Sequence, residues 1–160
     1  MTSFSDLLEM HNWLDDLFLS HQRALLQMDL ERASLLLQAY ENELLAHLND
    51  EEELIIPLYT QRTTDPSMSG TLEMVFKEHD TLRRYLSLFR DQVKTMTNSD
   101  DIERAVLQLI DSQYLFKRLL VLHDTRERKI LYPQLNTVTT DLERETLFSR
   151  LDASPVGTSH

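Results

Sequence analysis

The sequence predicts an all-α fold: an antiparallel up-down-up-down four-helix bundle with a short fifth C-terminal helix. Two observations carry this. Only two Gly and four Pro occur in 160 residues, so turn chemistry is scarce, while Leu, Glu, Gln, Arg and Ala, all good helix formers, dominate. Apolar residues also recur at helical spacing along four long stretches with short separations, the pattern of helices that return against their neighbours.

The first helix is expected over 6–28, where Leu7, His11, Leu14, Phe18 and Leu25 share a stripe. A short break near Asp29, without Gly or Pro, precedes a second helix over 30–61. That helix aligns Ala33, Leu37, Tyr40, Leu44, His47, Glu51 and Leu54, and Pro57 should kink or end it. Thr63 to Ser67, which contains Asp65-Pro66, is the clearest loop. The third helix, 69–96, carries Leu72, Val75, His79, Leu82, Leu86 and Phe89. Asp100 with Glu103 resembles a capping box for a fourth helix over 101–132, which carries Ile102, Leu109, Phe116, Leu119, His123, Glu127 and Ile130 until Pro133 closes it. Thr140 and Glu143 then cap a short fifth helix with Leu142, Leu147 and Leu151. Residues 1–151 suit one domain, and the small, polar stretch 152–160 reads as a disordered tail.

Composition narrows the function classes. With no cysteine, disulfides, thiolate metal sites and a cysteine nucleophile are excluded, which fits a reducing, cytoplasmic setting. The opening Met1-Thr2-Ser3-Phe4-Ser5-Asp6 is acidic rather than basic, unlike a signal peptide. No apolar run approaches the roughly 20 residues that span a bilayer. A formal charge of −11 argues against nucleic acid and anionic membranes as partners.

One motif occurs twice. His47 and Glu51 stand four apart with Pro57 ten after the histidine, and His123 and Glu127 repeat this with Pro133. Residues four apart share a helix face, so each copy presents one imidazole and one carboxylate to the same point. In an antiparallel hairpin, two residues lie level when their midpoint falls at the turn. The midpoint of His11 and His47 is position 29, the first break. That of Glu51 and His79 is 65, the loop, and that of His79 and His123 is 101, the next break. Within about one helical turn, roughly 5 Å, these five residues occupy one slice of the bundle, with Glu127 a turn along. Buried without partners, such groups would each cost about 1–3 kcal/mol. Metal ions would offset that cost, and imidazole with carboxylate suits iron or manganese, and zinc less specifically.

At these residues the chain resembles the hemerythrin-like family of His-His-Glu cation-binding domains. The resemblance spans roughly residues 6–133 and rests on Met10-His11-Asn12-Trp13-Leu14-Asp15, on His47-Leu48-Asn49-Asp50-Glu51-Glu52 leading to Ile56-Pro57, on Glu78-His79-Asp80, and on His123-Asp124-Thr125-Arg126-Glu127 leading to Leu131-Tyr132-Pro133. It implies two irons joined by an oxygen bridge, one held by His11 and His47, the other by His79 and His123, with Glu51 and Glu127 bridging. The implied partner is a small diatomic or peroxide ligand. Two features depart from the oxygen carriers of the family. They place a second histidine four before the one on helix three, where this chain has Val75. Their last bridging acid is an Asp five after its histidine, whereas Glu127 follows His123 by four. Some members also carry a Glu directly after the helix-two histidine, where this chain has Leu48. The fewer ligands favour reaction with oxygen, peroxide or nitric oxide over reversible carriage.

The rival readings are a histidine phosphotransfer module, for which an exposed His21 would serve, and a metal-free association bundle. His21 lies ten residues, about 15 Å, along the helix from the His11 level and about 80° off that stripe, so it reads as solvated or as a satisfied boundary residue. Glu52, Glu53 and Glu78 read as a solvated acidic face. Asp15 and Glu43 are either acceptors that orient imidazoles or an ordinary surface pair, and Tyr40 reads as core.

Overall fold

The computed structural model describes residues 3–63 and 68–152. Every regular element among them is helical. A short 3-10 turn, Phe4–Leu7, leads into α1, Leu8–Leu26. α2, Leu30–Asp50, runs through a π-helical turn, Glu51–Ile55, into α3, Ile56–Arg62. α4 is Met68–Met96, and α5, Ile102–Arg126, runs through a second π turn, Glu127–Leu131, into α6, Tyr132–Val138. α7, Asp141–Phe148, is the short last helix. The expected loop lies, beyond Thr63, outside the described residues, as does the tail beyond Asp152. No described helix is long and apolar enough to cross a membrane.

The prolines act differently from expectation. Pro57 and Pro133 lack an N–H, and in a regular helix their rings would press on the carbonyls of Glu53 and Lys129. Instead the turn ahead of each widens. Ile56 N–H bonds to the Glu51 carbonyl and Tyr132 N–H to that of Glu127, each five residues back. The helix therefore continues past Pro133 rather than closing there. Such π turns concentrate at functional sites, and here both begin on the repeated glutamate.

Local chemistry sets the other boundaries. α1 ends with Met28 N–H on the Leu25 carbonyl and Asp29 N–H on that of Ala24, a Schellman closure in which Met28 takes the left-handed conformation, φ 58°. Asp29 then caps α2 by accepting from Arg32 N–H. Asp101, not Asp100, caps α5, accepting from Arg104 N–H, because Ser99 Oγ takes the Asp101 N–H and turns that residue into place. Thr140 and Glu143 form the expected capping box, although Leu142 of that helix is exposed. An unforeseen box, Ser3 with Asp6, starts the N-terminal turn. Asn136 accepts from Phe4 N–H and donates to Ser3 Oγ, tying this turn to α6.

α1 packs on α2, α2 on α4, α4 on α5 and α5 on α1. Among the described residues most of the buried apolar side chains fall into two clusters. The larger one centres on Phe116, whose ring meets those of Phe18, Tyr40, Tyr85 and Phe89 at 5.2–6.2 Å. The smaller gathers Phe4, Leu7, Ile55, Tyr59, Leu131, Tyr132, Leu135 and Leu147 around the π turns and α6. Along α2 and α5 the residues that separate the clusters include His47, Glu51, His123 and Glu127, so a polar slice divides an otherwise apolar interior.

Candidate metal centre

All six residues singled out by spacing converge in that slice. They come from four helices: His11 on α1, His47 on α2 with Glu51 at its π turn, His79 on α4, and His123 on α5 with Glu127 at the second π turn. Glu51, His79 and Glu127 are fully buried, and His47 and His123 nearly so. His11 keeps a 10% exposed side chain.

The imidazoles turn Nε2 inward. Those of His11 and His47 stand 3.0 Å apart, their rings edge-on. His79 and His123 pair in the same manner, ring centres 4.8 Å apart. Each carboxylate reaches both pairs. Glu51 Oε1 lies 2.8 Å from His47 Nε2, and its Oε2 lies 2.8 Å from His79 Nε2 and 3.3 Å from His123 Nε2. Glu127 Oε2 lies 3.0 Å from His11 Nε2, while its Oε1 contacts His123 Nε2. Two groups of donors result, His11–His47–Glu51–Glu127 and Glu51–His79–His123–Glu127, each with its atoms within 4.8 Å of one another.

For four of these inward atoms proximity is not hydrogen bonding. Glu51 Oε2, His79 Nε2, His123 Nε2 and Glu127 Oε1 are buried and have no hydrogen-bond partner, despite neighbours at van der Waals contact or closer. Such an orphaned set is costly. Neighbouring donors on one ion, with bonds of about 2.1 Å at right angles, stand about 3 Å apart, the spacing seen between these inward atoms. Nitrogen and carboxylate donors without thiolate suit iron or manganese. The residues present fit a pair of metal ions.

The site is held from outside by groups whose sequence positions look superficial. Asp124 Oδ1 accepts from His11 Nδ1, and Glu52 Oε1 accepts from His79 Nδ1 at 3.0 Å. Arg83 grips Glu52 at 2.7 Å, and Arg128 holds Asp124 at 3.1 Å. Tyr132, fully buried, donates its hydroxyl to Glu127 Oε2 at 2.6 Å. Carboxylates on the far nitrogen fix an imidazole's orientation and basicity. Burial opposes protonation of His11, but Glu127, Asp124 and Glu51 overcome it and hold its pKa at about 10. His123 is likewise raised well above its ordinary value, with burial outweighed by Glu127 and Glu51. Burial would raise the Glu51 carboxyl, yet His47 and His123 keep it well below the usual range.

The family is now decided by comparison: the Hemerythrin HHE cation binding domain matches residues 2–135. The chain belongs to the hemerythrin HHE family. No curated protein and no solved structure matches it. The match takes in all six converging residues of this hemerythrin-like chain, and with the donor clusters it supports a cation-binding function. Val75 and Leu48, the two departures noted in the sequence, are buried apolar residues here.

Several expectations are corrected. Glu52 and Glu78 are not a solvated face: Glu52 holds His79, and Glu78 is buried and accepts from Arg126 Nε at 2.7 Å. Glu53 is exposed, as expected. Asp15 is exposed and Glu43 half-buried, and Asp124 takes the His11 role considered for Asp15. His21 is fully buried, donating Nδ1–H to the Ala33 carbonyl at 2.7 Å and meeting Gln113 Nε2 at 3.0 Å. A phosphotransfer module would need it exposed. Tyr40 is core and also walls a cavity of about 330 Å³ between α1, α2 and α5, lined by Leu14, Phe18, Leu44, Leu120, Val121 and the histidines 11, 47 and 123.

Proposed function

We propose that this chain is a non-haem di-iron protein that binds and activates a small ligand: oxygen, peroxide or nitric oxide. In this reading His11 and His47 would hold one iron and His79 and His123 the other, with Glu51 and Glu127 available to both. The supporting observation is the placement of Glu51, itself fully buried, whose two oxygens face different histidine pairs. Bound there, iron supplies redox chemistry toward a small ligand.

The chain's own residues bind, orient and shield. Asp124 and Glu52 hold the His11 and His79 rings with Nε2 inward. Tyr132 keeps its hydroxyl proton and directs it at Glu127 Oε2, since burial, Glu127 and Glu51 all push its ionisation upward. The cavity beside His11, His47 and His123 gives a small molecule access, and its apolar walls of Leu14, Phe18 and Leu44 limit bulk water. Val75 and Leu48 leave the site poor in protein ligands, which favours reactivity over reversible carriage. The proposed setting is an antiparallel four-helix bundle, one domain over 1–151, serving sensing, storage or stress defence in the cytoplasm.

The test is rapid mixing of the iron-loaded, reduced protein with each ligand. Fast autoxidation, or consumption of peroxide or nitric oxide, is expected. A long-lived reversible oxygen adduct would contradict the reading.

A further inference from the structure

The outer face of α5 carries an apolar stripe that no other described element covers. Leu107, Tyr114, Leu115 and Leu122 are 60%, 58%, 61% and 54% exposed. Their helical positions fall within one arc, at about 100° per residue, opposite the arc that buries Val106, Leu109, Phe116 and His123. A surface helix of a solitary bundle would place charges there. Two charges do lie on the stripe, Asp111 and Arg118, both exposed, and Arg118 folds back with Nη1 3.3 Å from the Tyr114 hydroxyl.

The stripe is complementary to itself when reversed. A two-fold axis passing between Tyr114 and Leu115 stands at the middle of Ile102–Arg126. Across it, two antiparallel copies of α5 set Leu107 level with Leu122 of the other copy, Tyr114 level with Leu115, and Asp111 level with Arg118. Every apolar residue meets an apolar residue, and each charge meets its opposite, twice by symmetry. This is the signature of an isologous contact. Net charge is consistent with it. The chain carries −11, so two copies repel over most of their surfaces, but α5 has Arg104, Lys117, Arg118 and Arg126 against Glu103, Asp111 and Asp124. Self-association is least opposed on such a face.

We propose that the protein forms a two-fold homodimer through the outer faces of α5, in antiparallel register, with Asp111 of each copy paired to Arg118 of the other. Val121 borders the stripe and also lines the cavity beside the histidines, together with Leu19 of α1. The dimer therefore sits against the cavity mouth.

The test is the mass of the full chain by sedimentation velocity over a wide concentration range, with helicity and metal content as controls. The wild type is expected to be a dimer. Leu115→Glu with Leu122→Glu, both at exposed positions, should give a folded monomer. Asp111→Arg alone and Arg118→Asp alone should each weaken association by at least about tenfold through like-charge contact, and the two together should restore it. A monomeric wild type would overturn the proposal and leave the stripe to a different protein. So would a dimer indifferent to Leu115→Glu with Leu122→Glu, or a charge swap that fails to restore association.

Discussion

The Tyr132 hydroxyl donates to Glu127 Oε2 at 2.6 Å and lies 3.4 Å from Glu51 Oε1, so one buried phenol serves both carboxylates of the site. Tyr132→Phe removes the donor and keeps the packing. Metal affinity should fall by about ten- to a hundredfold with helical content unchanged, as read by competition with a chelator. Unchanged affinity would reduce Tyr132 to a packing residue.

Asp124 and Glu52 act on different histidines, and their variants should separate the two halves of the site. Asp124→Asn should weaken the metal equivalent on the His11 side, and Glu52→Gln the one on the His79 side, each by roughly tenfold or more. Stoichiometric titration should then show one strong and one weakened step. Two equally weakened steps in either variant would contradict this division.

Spacing made the inner ring of the site legible. The repeated His-Glu pair and the three midpoints placed the imidazoles and carboxylates without any contact information. The supporting residues were hidden for a geometric reason. Glu52 and Asp124 directly follow Glu51 and His123, so they sit about 100° off the inner stripe and become useful only because a neighbouring helix presents a ring there. His21, read as solvated or as a satisfied boundary residue, is satisfied but fully buried: α1 packs against both α2 and α5, so its buried arc is wider than one stripe. The prolines misled because their usual effect is to stop a helix, and a periodicity of 3.6 carries no sign of a π turn. Tyr132 lies beyond such a turn, where that periodicity loses its phase.

Metal loading should release protons. His11, held at about 10, is an imidazolium at pH 7 without metal, and His123 is shifted in the same direction. A metal needs the Nε2 lone pair, so loading should release at least about one proton per chain, measurable with a pH indicator in weak buffer. In the metal-free fold, the His11 contribution to stability is complete below its unfolded value of 6.5 and is lost as pH rises through about 10. Denaturation of metal-free protein should therefore become easier toward alkaline pH. Loading without proton release would contradict the protonation assignment.

His21 should have the opposite dependence. Burial lowers its pKa, against a smaller opposing effect from the Ala33 carbonyl, so the folded state holds it neutral. As pH falls below 6.5 the unfolded chain gains a proton that the fold refuses, and stability drops until the lowered folded value is passed. His21→Leu should remove that component of the slope and cost about 1–3 kcal/mol at pH 7 by leaving the buried Gln113 Nε2 without its acceptor. Denaturant melts at several pH values would show both effects. A variant with the wild-type slope would contradict them.

Met28 occupies a left-handed position, φ 58°, where a side chain costs about 1–2 kcal/mol. Met28→Gly should raise stability by about 0.5–1 kcal/mol once glycine's entropy is counted. A fall in thermal midpoint would mean that the partly exposed Met28 side chain contributes more than its backbone costs.

The central claim is most directly tested by metal content and the optical spectrum of protein purified in air, beside the same measurements on Glu51→Ala with Glu127→Ala. About two irons per chain, with near-ultraviolet charge-transfer bands that the double variant loses, is the expected result. A folded wild-type protein that takes up no metal, even after anaerobic addition of iron, would contradict it.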